Sequence, residues 1–167
     1  FGEDKSITRE EFYQYKFDTK YSEKSVMAVN LKKFLAEASS EDPHIIKALE
    51  LLQNWNLDTD SLNTAVHLAI SAISPKFNPT EYKYDYSGIM KRLQKTVNTL
   101  KNTFGRVEVK WGDIMRLRRG NTDLPLSGGP DILRDIYSKE KEGVQVGIAG
   151  DCYYEIVVWD PDGNVFA

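Results

Sequence analysis

The sequence predicts an α+β fold, with a mainly helical lobe over residues 1–105 and a loop-rich segment with antiparallel strands over residues 106–167. Three observations carry this expectation. Up to Phe104, apolar residues recur at steps of three and four, the spacing that lines one face of a helix. Gly105 stands where a helix ending in a left-handed turn favours glycine. Beyond it, apolar residues alternate with polar ones, and glycine and proline become frequent between Gly112 and Pro130.

Each element has a local cause. Thr8 and Glu11 have capping-box spacing, and they open a short helix carrying Phe12, Tyr13 and Phe17. A second helix is expected from Ser22 to Glu37, with Val26, Val29, Leu31, Phe34 and Leu35 approximating an apolar stripe. Asp42 is placed to cap a third helix with Pro43 at its first position, where the missing N–H costs nothing. Ile45, Ile46, Leu49 and Leu52 would form the inward face of that helix, which ends near Trp55. Ser61 is expected to cap a fourth helix through Ala65, Leu68, Ala69 and Ile73, stopped by Pro75. Phe77 to Tyr86, which contains Pro79, reads as a loop. Ser87 to Phe104 has the strongest helical signal, through Ile89, Met90, Leu93, Val97, Leu100 and Phe104.

In the second segment, Val107, Val109 and Trp111 alternate with polar residues as a short half-buried strand would. Tyr153 to Trp159 is rich in β-branched and aromatic residues and reads as a buried strand. Asp162-Gly163 signals a tight turn before Val165 and Phe166.

Composition narrows the function classes. The chain has 167 residues and a net charge of -3, with basic and acidic residues interspersed. A nucleic-acid binder usually carries a clustered basic face. No apolar run approaches the roughly 20 residues that span a bilayer. No basic-then-apolar amino terminus suggests a signal peptide. The single Cys152 excludes an internal disulfide. Phe1 is not a natural start, and Ala167 interrupts an incipient strand, so the chain is read as a piece of something longer.

Several residues invite a chemical reading. Cys152 would serve as a nucleophile if His44 or His67 lay within reach as a base and a third group oriented that base. Nothing in the sequence brings them together, and a cysteine beginning an apolar strand behaves as a small hydrophobe. Asp160, Asp162 and Asn164 alternate like the first ligands of a calcium loop, yet glycine falls at the wrong position and no twelfth-position Glu follows. A hairpin turn explains them better. Arg116, Arg118 and Arg119 offer planar donor forks for an anion, against ion pairing with Asp113 and Asp123. Ser127-Gly128-Gly129 offers backbone N–H groups, but without the lysine and the strand–helix setting of a phosphate cradle it reads as a turn. Phe12, Tyr13, Tyr15, Phe17 and Tyr21 are candidates for an apolar pocket, with core packing as the simpler reading.

Two sets of segments carry a family resemblance. The first is Ile7-Thr8-Arg9-Glu10-Glu11-Phe12 with Tyr15-Lys16-Phe17-Asp18-Thr19-Lys20-Tyr21-Ser22, followed by Leu51-Leu52-Gln53-Asn54-Trp55. The second joins Trp111-Gly112-Asp113-Ile114-Met115-Arg116-Leu117-Arg118-Arg119-Gly120, Leu124-Pro125-Leu126-Ser127-Gly128-Gly129-Pro130-Asp131, and the run from Gly150 to Asp160. Together they resemble the catalytic β subunit of penicillin acylase-type enzymes, nearest to the branch that cleaves acyl-homoserine lactones and lipopeptides of the aculeacin type. Cys152 departs from the serine common in that family.

The resemblance implies a parent among the N-terminal-nucleophile hydrolases, with a four-layer αββα core and self-cleavage of a precursor. In such enzymes the freed amino-terminal serine attacks the amide, and its α-amine, with an ordinary pKa of about 8, accepts the proton. An oxyanion hole holds the tetrahedral intermediate. The family's oxyanion asparagine and its structural calcium ligands are expected upstream of Phe1, and Phe1 itself has no nucleophilic atom. This chain is therefore assigned no catalytic, cofactor-binding or metal residue, and no cofactor of its own. Its implied partners are the α subunit and the rest of the β subunit. The implied substrate of the parent is a small amide, an acyl-homoserine lactone, a lipopeptide or a β-lactam side chain. A periplasmic or extracellular location follows from the resemblance alone. The alternative is a stand-alone helical interaction module without enzymatic activity.

Overall fold

The computed structural model describes residues 6–73, 84–150, 156–160 and 162–166. Within them the fold is α+β. Six helices come first: α1 (Arg9–Lys16), α2 (Val26–Glu37), α3 (Pro43–Gln53), α4 (Val66–Ile73), α5 (Tyr86–Phe104) and the single turn α6 (Trp111–Ile114). They are followed by β1 (Met115–Arg119), β2 (Thr122–Pro125), β3 (Ile136–Lys141), β4 (Val144–Gly150), β5 (Val158–Trp159) and β6 (Val165–Phe166). The Phe77–Tyr86 loop expectation falls almost wholly outside the described residues, as do the Pro75 stop, Cys152 and the start of the Tyr153–Trp159 run.

The helix starts follow their caps. At α1 the Thr8 and Glu11 side chains exchange bonds with each other's backbone N–H, completing the box. Ser25, rather than Ser22, begins α2, because its hydroxyl accepts the Ala28 N–H while Ser22 to Ser25 closes a separate turn. Asp42 caps α3 through the His44 N–H with Pro43 behind it, as expected. Gly105 ends α5 at φ 72°, also as expected.

Ser61 caps nothing, contrary to expectation. Its N–H donates to the Ser127 hydroxyl and its carbonyl accepts from Gly112. Those long-range bonds hold it in a turn, and α4 starts later. The apolar stripes also need trimming. Val26 and Val29 on α2 and Ile46 on α3 are exposed, while Met27, Leu31 and Phe34, and Ile45, Leu49 and Leu52, face inward.

One apolar core joins these helices. Phe34, Leu52, Leu68, Ile89, Leu93 and Leu100 are essentially sealed, and Val107, Val109, Trp111, Ile114 and Met115 continue the same cluster. Burying each large side chain contributes roughly 1.5–3 kcal/mol. The Val107–Trp111 alternation buries alternate residues as expected, but it is not a strand. Those residues line no ladder, because Trp111 turns into α6 and its N–H goes to the Asn63 carbonyl. Gly112 is required here, since a Cβ would lie 2.8 Å from Pro125 and 3.0 Å from Ser61.

The expectation of antiparallel strands needs correction. The main sheet is mixed, in the order β2-β1-β4-β3. β1–β2 and β3–β4 are antiparallel hairpins, as short turns demand. Residues 126–135 then carry the chain past the sheet, so the second hairpin docks with β4 alongside β1 in parallel. The β3–β4 turn uses Glu142 at φ 55° and Gly143 at φ 79°, the paired left-handed conformations of a tight hairpin.

β5 and β6 form a separate two-stranded ribbon. The expected buried strand ending at Trp159 is half-covered in its described part, with Ile156, Val157 and Val158 partly buried and Trp159 66% exposed. The Asp162-Gly163 turn forms as expected, with Gly163 at φ 83°.

Tyr21 ties the two regions together. It packs edge-on against Trp55 at 5.9 Å, and its hydroxyl donates to the Pro130 carbonyl at 2.6 Å. Burial, reinforced by the carboxylates of Asp131 and Asp135, pushes its pKa upward. Tyr21→Phe is expected to cost about 1 kcal/mol of stability, measurable by urea denaturation. An unchanged midpoint would show that the carbonyl finds another donor.

Candidate functional site

A polar concavity lies between two helices and the β3–β4 hairpin. On α4, His67 and Ser71 are one turn apart and so share a face. On α5, Arg92, Lys95, Thr96 and Thr99 follow at steps that also keep them on one face. Glu140, Gly143 and Gln145 form the third side, and the volume of the open cleft is about 220 Å³. Gly143 can approach because it lacks a Cβ, which would otherwise sit 2.7 Å from Thr103.

Like Thr96 on α5, His67 is buried. Loss of water around the ring holds its pKa down at about 4, so the imidazole is neutral near pH 7. One face stacks on Trp111, with ring centres 5.9 Å apart and planes 21° from parallel. Its Nδ1 lies 3.2 Å from the Ser71 hydroxyl. A serine nucleophile needs its base held by a further polar group. Among the described residues no carboxylate hydrogen-bonds His67, so the pair lacks that orienting partner.

The α5 side chains have defined roles in the wall. Arg92 donates Nε to the Ala72 carbonyl at 2.8 Å; its Nη1 lies beside Gly88 and the Asp85 side chain, and among the described residues no acceptor takes its terminal amino groups. The Thr96 and Thr99 hydroxyls donate back to the Arg92 and Lys95 carbonyls, leaving their oxygen lone pairs as acceptors. Gln145 accepts from the Ser138 hydroxyl through Oε1. Among the described residues, no acid forms an ion pair with Arg92 or Lys95.

The residues singled out in the sequence lie elsewhere. Arg116 and Arg118 share Asp123 across the β1–β2 hairpin, at 2.7 and 3.2 Å. Arg116 also donates to the Gly112 and Asp123 carbonyls, and Arg119 to those of Arg118 and Gly147. The two guanidiniums hold the Asp123 carboxyl below its usual range. Asp123 fills the pairing role expected of it; Asp113 takes no part in these bonds.

The two glycine N–H groups of the Ser127-Gly128-Gly129 turn are engaged. The Gly128 N–H goes to the Thr59 carbonyl and the Gly129 N–H to that of Arg134. The Gly128 carbonyl accepts from the Trp111 indole at 2.9 Å. The carboxylate of Asp160 accepts from the backbone of Asp162 and from both the backbone and side chain of Asn164. Those bonds hold its pKa down and account for the alternating Asp and Asn by turn chemistry.

The aromatic cluster divides. Tyr21 belongs to the core, whereas Phe12, Tyr13 and Phe17 are exposed. Phe12 joins Ile7, Ile156, Val158 and Trp159 around an apolar cleft of about 330 Å³ between α1 and the β5–β6 ribbon. Of the histidines weighed as partners for Cys152, His44 is exposed at the start of α3 and His67 is buried in α4. Cys152 lies outside the described residues. Sequence reasoning missed the Arg92–Lys95–Thr96–Thr99 stripe, although its helical spacing beside an i, i+4 His–Ser pair was a readable signal.

No protein-family model matches the chain, and no curated protein matches it.

Proposed function

We propose that this chain is a non-catalytic portion of a self-processing amide hydrolase of the penicillin acylase type. It supplies a helical lobe and part of a sheet to a larger αββα core. The parent hydrolyses an amide between an acyl group and an amine, with an acyl-homoserine lactone or lipopeptide favoured over a β-lactam side chain. The motifs between Trp111 and Asp160 suggest the family. The observation that carries the reading is a sheet face left half covered.

Met115 on β1 is sealed in the core, yet Leu117, two residues on and on the same face, is only partly buried. Its cross-strand neighbour Leu124 is 54% exposed. Further along, Leu117, Leu126, Ile136 and Ile148 line an open apolar groove of about 280 Å³. Helices cover one end of this face and nothing described covers the other. One layer of a sandwich has that character when its facing layer belongs to another part of the protein.

The test is to express the full reading frame that contains the chain. The expected outcome is self-cleavage at a Gly-Ser junction upstream, followed by hydrolysis of N-acyl-homoserine lactones by the processed protein. Expressed alone, the 167-residue chain should self-associate in analytical ultracentrifugation through the uncovered groove. An uncleaved product without amidase activity would overturn the assignment. A soluble monomer with sharp two-state unfolding would favour the interaction-module alternative.

A further inference from the structure

We propose that the cleft between α4, α5 and the β3–β4 turn is a binding site for a small carboxylate that also carries a hydrogen-bond donor, such as a hydroxy acid. This inference stands apart from the amide hydrolase reading, because it uses only the residues of the cleft.

Charge selects the ligand class. Arg92 and Lys95 bring two cations to one wall, and Glu140 brings one anion to the facing hairpin. With His67 neutral, the lining sums to one positive charge, which matches a monoanion; Asp85, beside Arg92 Nη1 at Gly88, lies outside the lining. A doubly charged phosphate would meet the same two cations but would be repelled by Glu140 about twice as strongly as a monoanion. A carboxylate is planar and accepts two parallel N–H bonds from a guanidinium, and among the described residues nothing accepts from the terminal amino groups of Arg92, whose Nη1 lies beside Gly88 and Asp85.

Geometry selects size and the second group. At about 220 Å³ the cleft is smaller than the clefts that hold drug-sized ligands, so a molecule of a few heavy atoms fits. Thr96 and Thr99 spend their protons on helix carbonyls and face a ligand as acceptors. Glu140 is an acceptor too. A hydroxyl on the ligand therefore has partners beside the carboxylate, at Thr96 and Thr99, and across the cleft, at Glu140. The Ser71–His67 pair belongs to the α4 wall, where His67 stacks on Trp111.

Equilibrium dialysis of the chain against radiolabelled glycolate tests this, because it reads uptake whether the chain is monomeric or self-associated. The expected result is saturable uptake at one site with a Kd of about 1 mM. Lys95→Gln, at an exposed position that leaves the fold intact, should weaken uptake by about tenfold through loss of a charged hydrogen bond. Lys91→Gln, on the same helix outside the cleft, should leave it unchanged. Inorganic phosphate should compete poorly. Absence of saturable uptake would overturn the proposal, as would equal loss in both variants or tighter binding of phosphate than of glycolate. Self-association with normal glycolate uptake would leave this site standing while speaking to the parent enzyme, and the converse result would do the opposite.

Discussion

Replacing Trp111 with alanine is expected to lower the unfolding free energy by about 3–5 kcal/mol, the range seen when a large buried aromatic is removed. A domain is typically stable by only about 5–15 kcal/mol, so this variant should lie close to its unfolding threshold. The size of the effect comes from position. Trp111 is 3% exposed and sits where the helical core passes into the sheet. Its ring covers His67, its indole N–H holds the Gly128 carbonyl, and its backbone N–H holds that of Asn63. Trp111→Phe separates the contributions. It keeps an aromatic face against His67 but leaves the Gly128 carbonyl without its buried donor, at a cost of about 1–3 kcal/mol. Guanidinium titrations of both variants should give that order. Equal losses would mean that the indole hydrogen bond carries nearly the whole effect.

Acidification is expected to remove about 3 kcal/mol of stability between pH 6.5 and 4 through His67 alone. The folded pKa of His67, about 4, lies below the ordinary value of 6.5 because burial disfavours the charged ring. The unfolded chain therefore takes up this proton more readily. The stabilisation is complete above pH 6.5 and is lost as pH falls toward the folded pKa. Asp42, Asp123 and Asp160 also have lowered pKa values, so their contributions likewise fade on acidification, but only around and below the usual carboxylate range. His67→Leu should flatten the profile in the upper window and leave the acid limb in place. Thermal melts at closely spaced pH values would check it; a His67→Leu profile parallel to that of the parent chain would exclude His67 as the source.

The helical half was largely legible because its signals are local. Thr8 with Glu11, Asp42 with Pro43, and Gly105 each satisfy backbone groups within a few residues, so their effect is written where it acts. Ser61 misled for the opposite reason. Its partners are Gly112 and Ser127, far along the chain, and they outbid a local cap. The same distance effect hid the sheet. Met115 to Arg119 reads as a basic cluster, since Arg116 and Arg118 find their charge partner only once β2 has folded back. The Glu142-Gly143 turn was a local hairpin signal that passed unread. The cleft was illegible as a site because its three walls come from separated segments, though each wall has a regular spacing of its own.

The seam between the two hairpins has a kinetic consequence. Each hairpin closes a short loop, an event on the order of 1–10 μs. The parallel seam engages only Met115 with Gln145 and Arg116 with Val146, and it must first gather the intervening chain. Loop-closure entropy makes that docking the slow step of sheet assembly. The sheet is therefore expected to form as two hairpins that meet late, with the Trp111–Gly128 bond tying down the connection between them in the folded state.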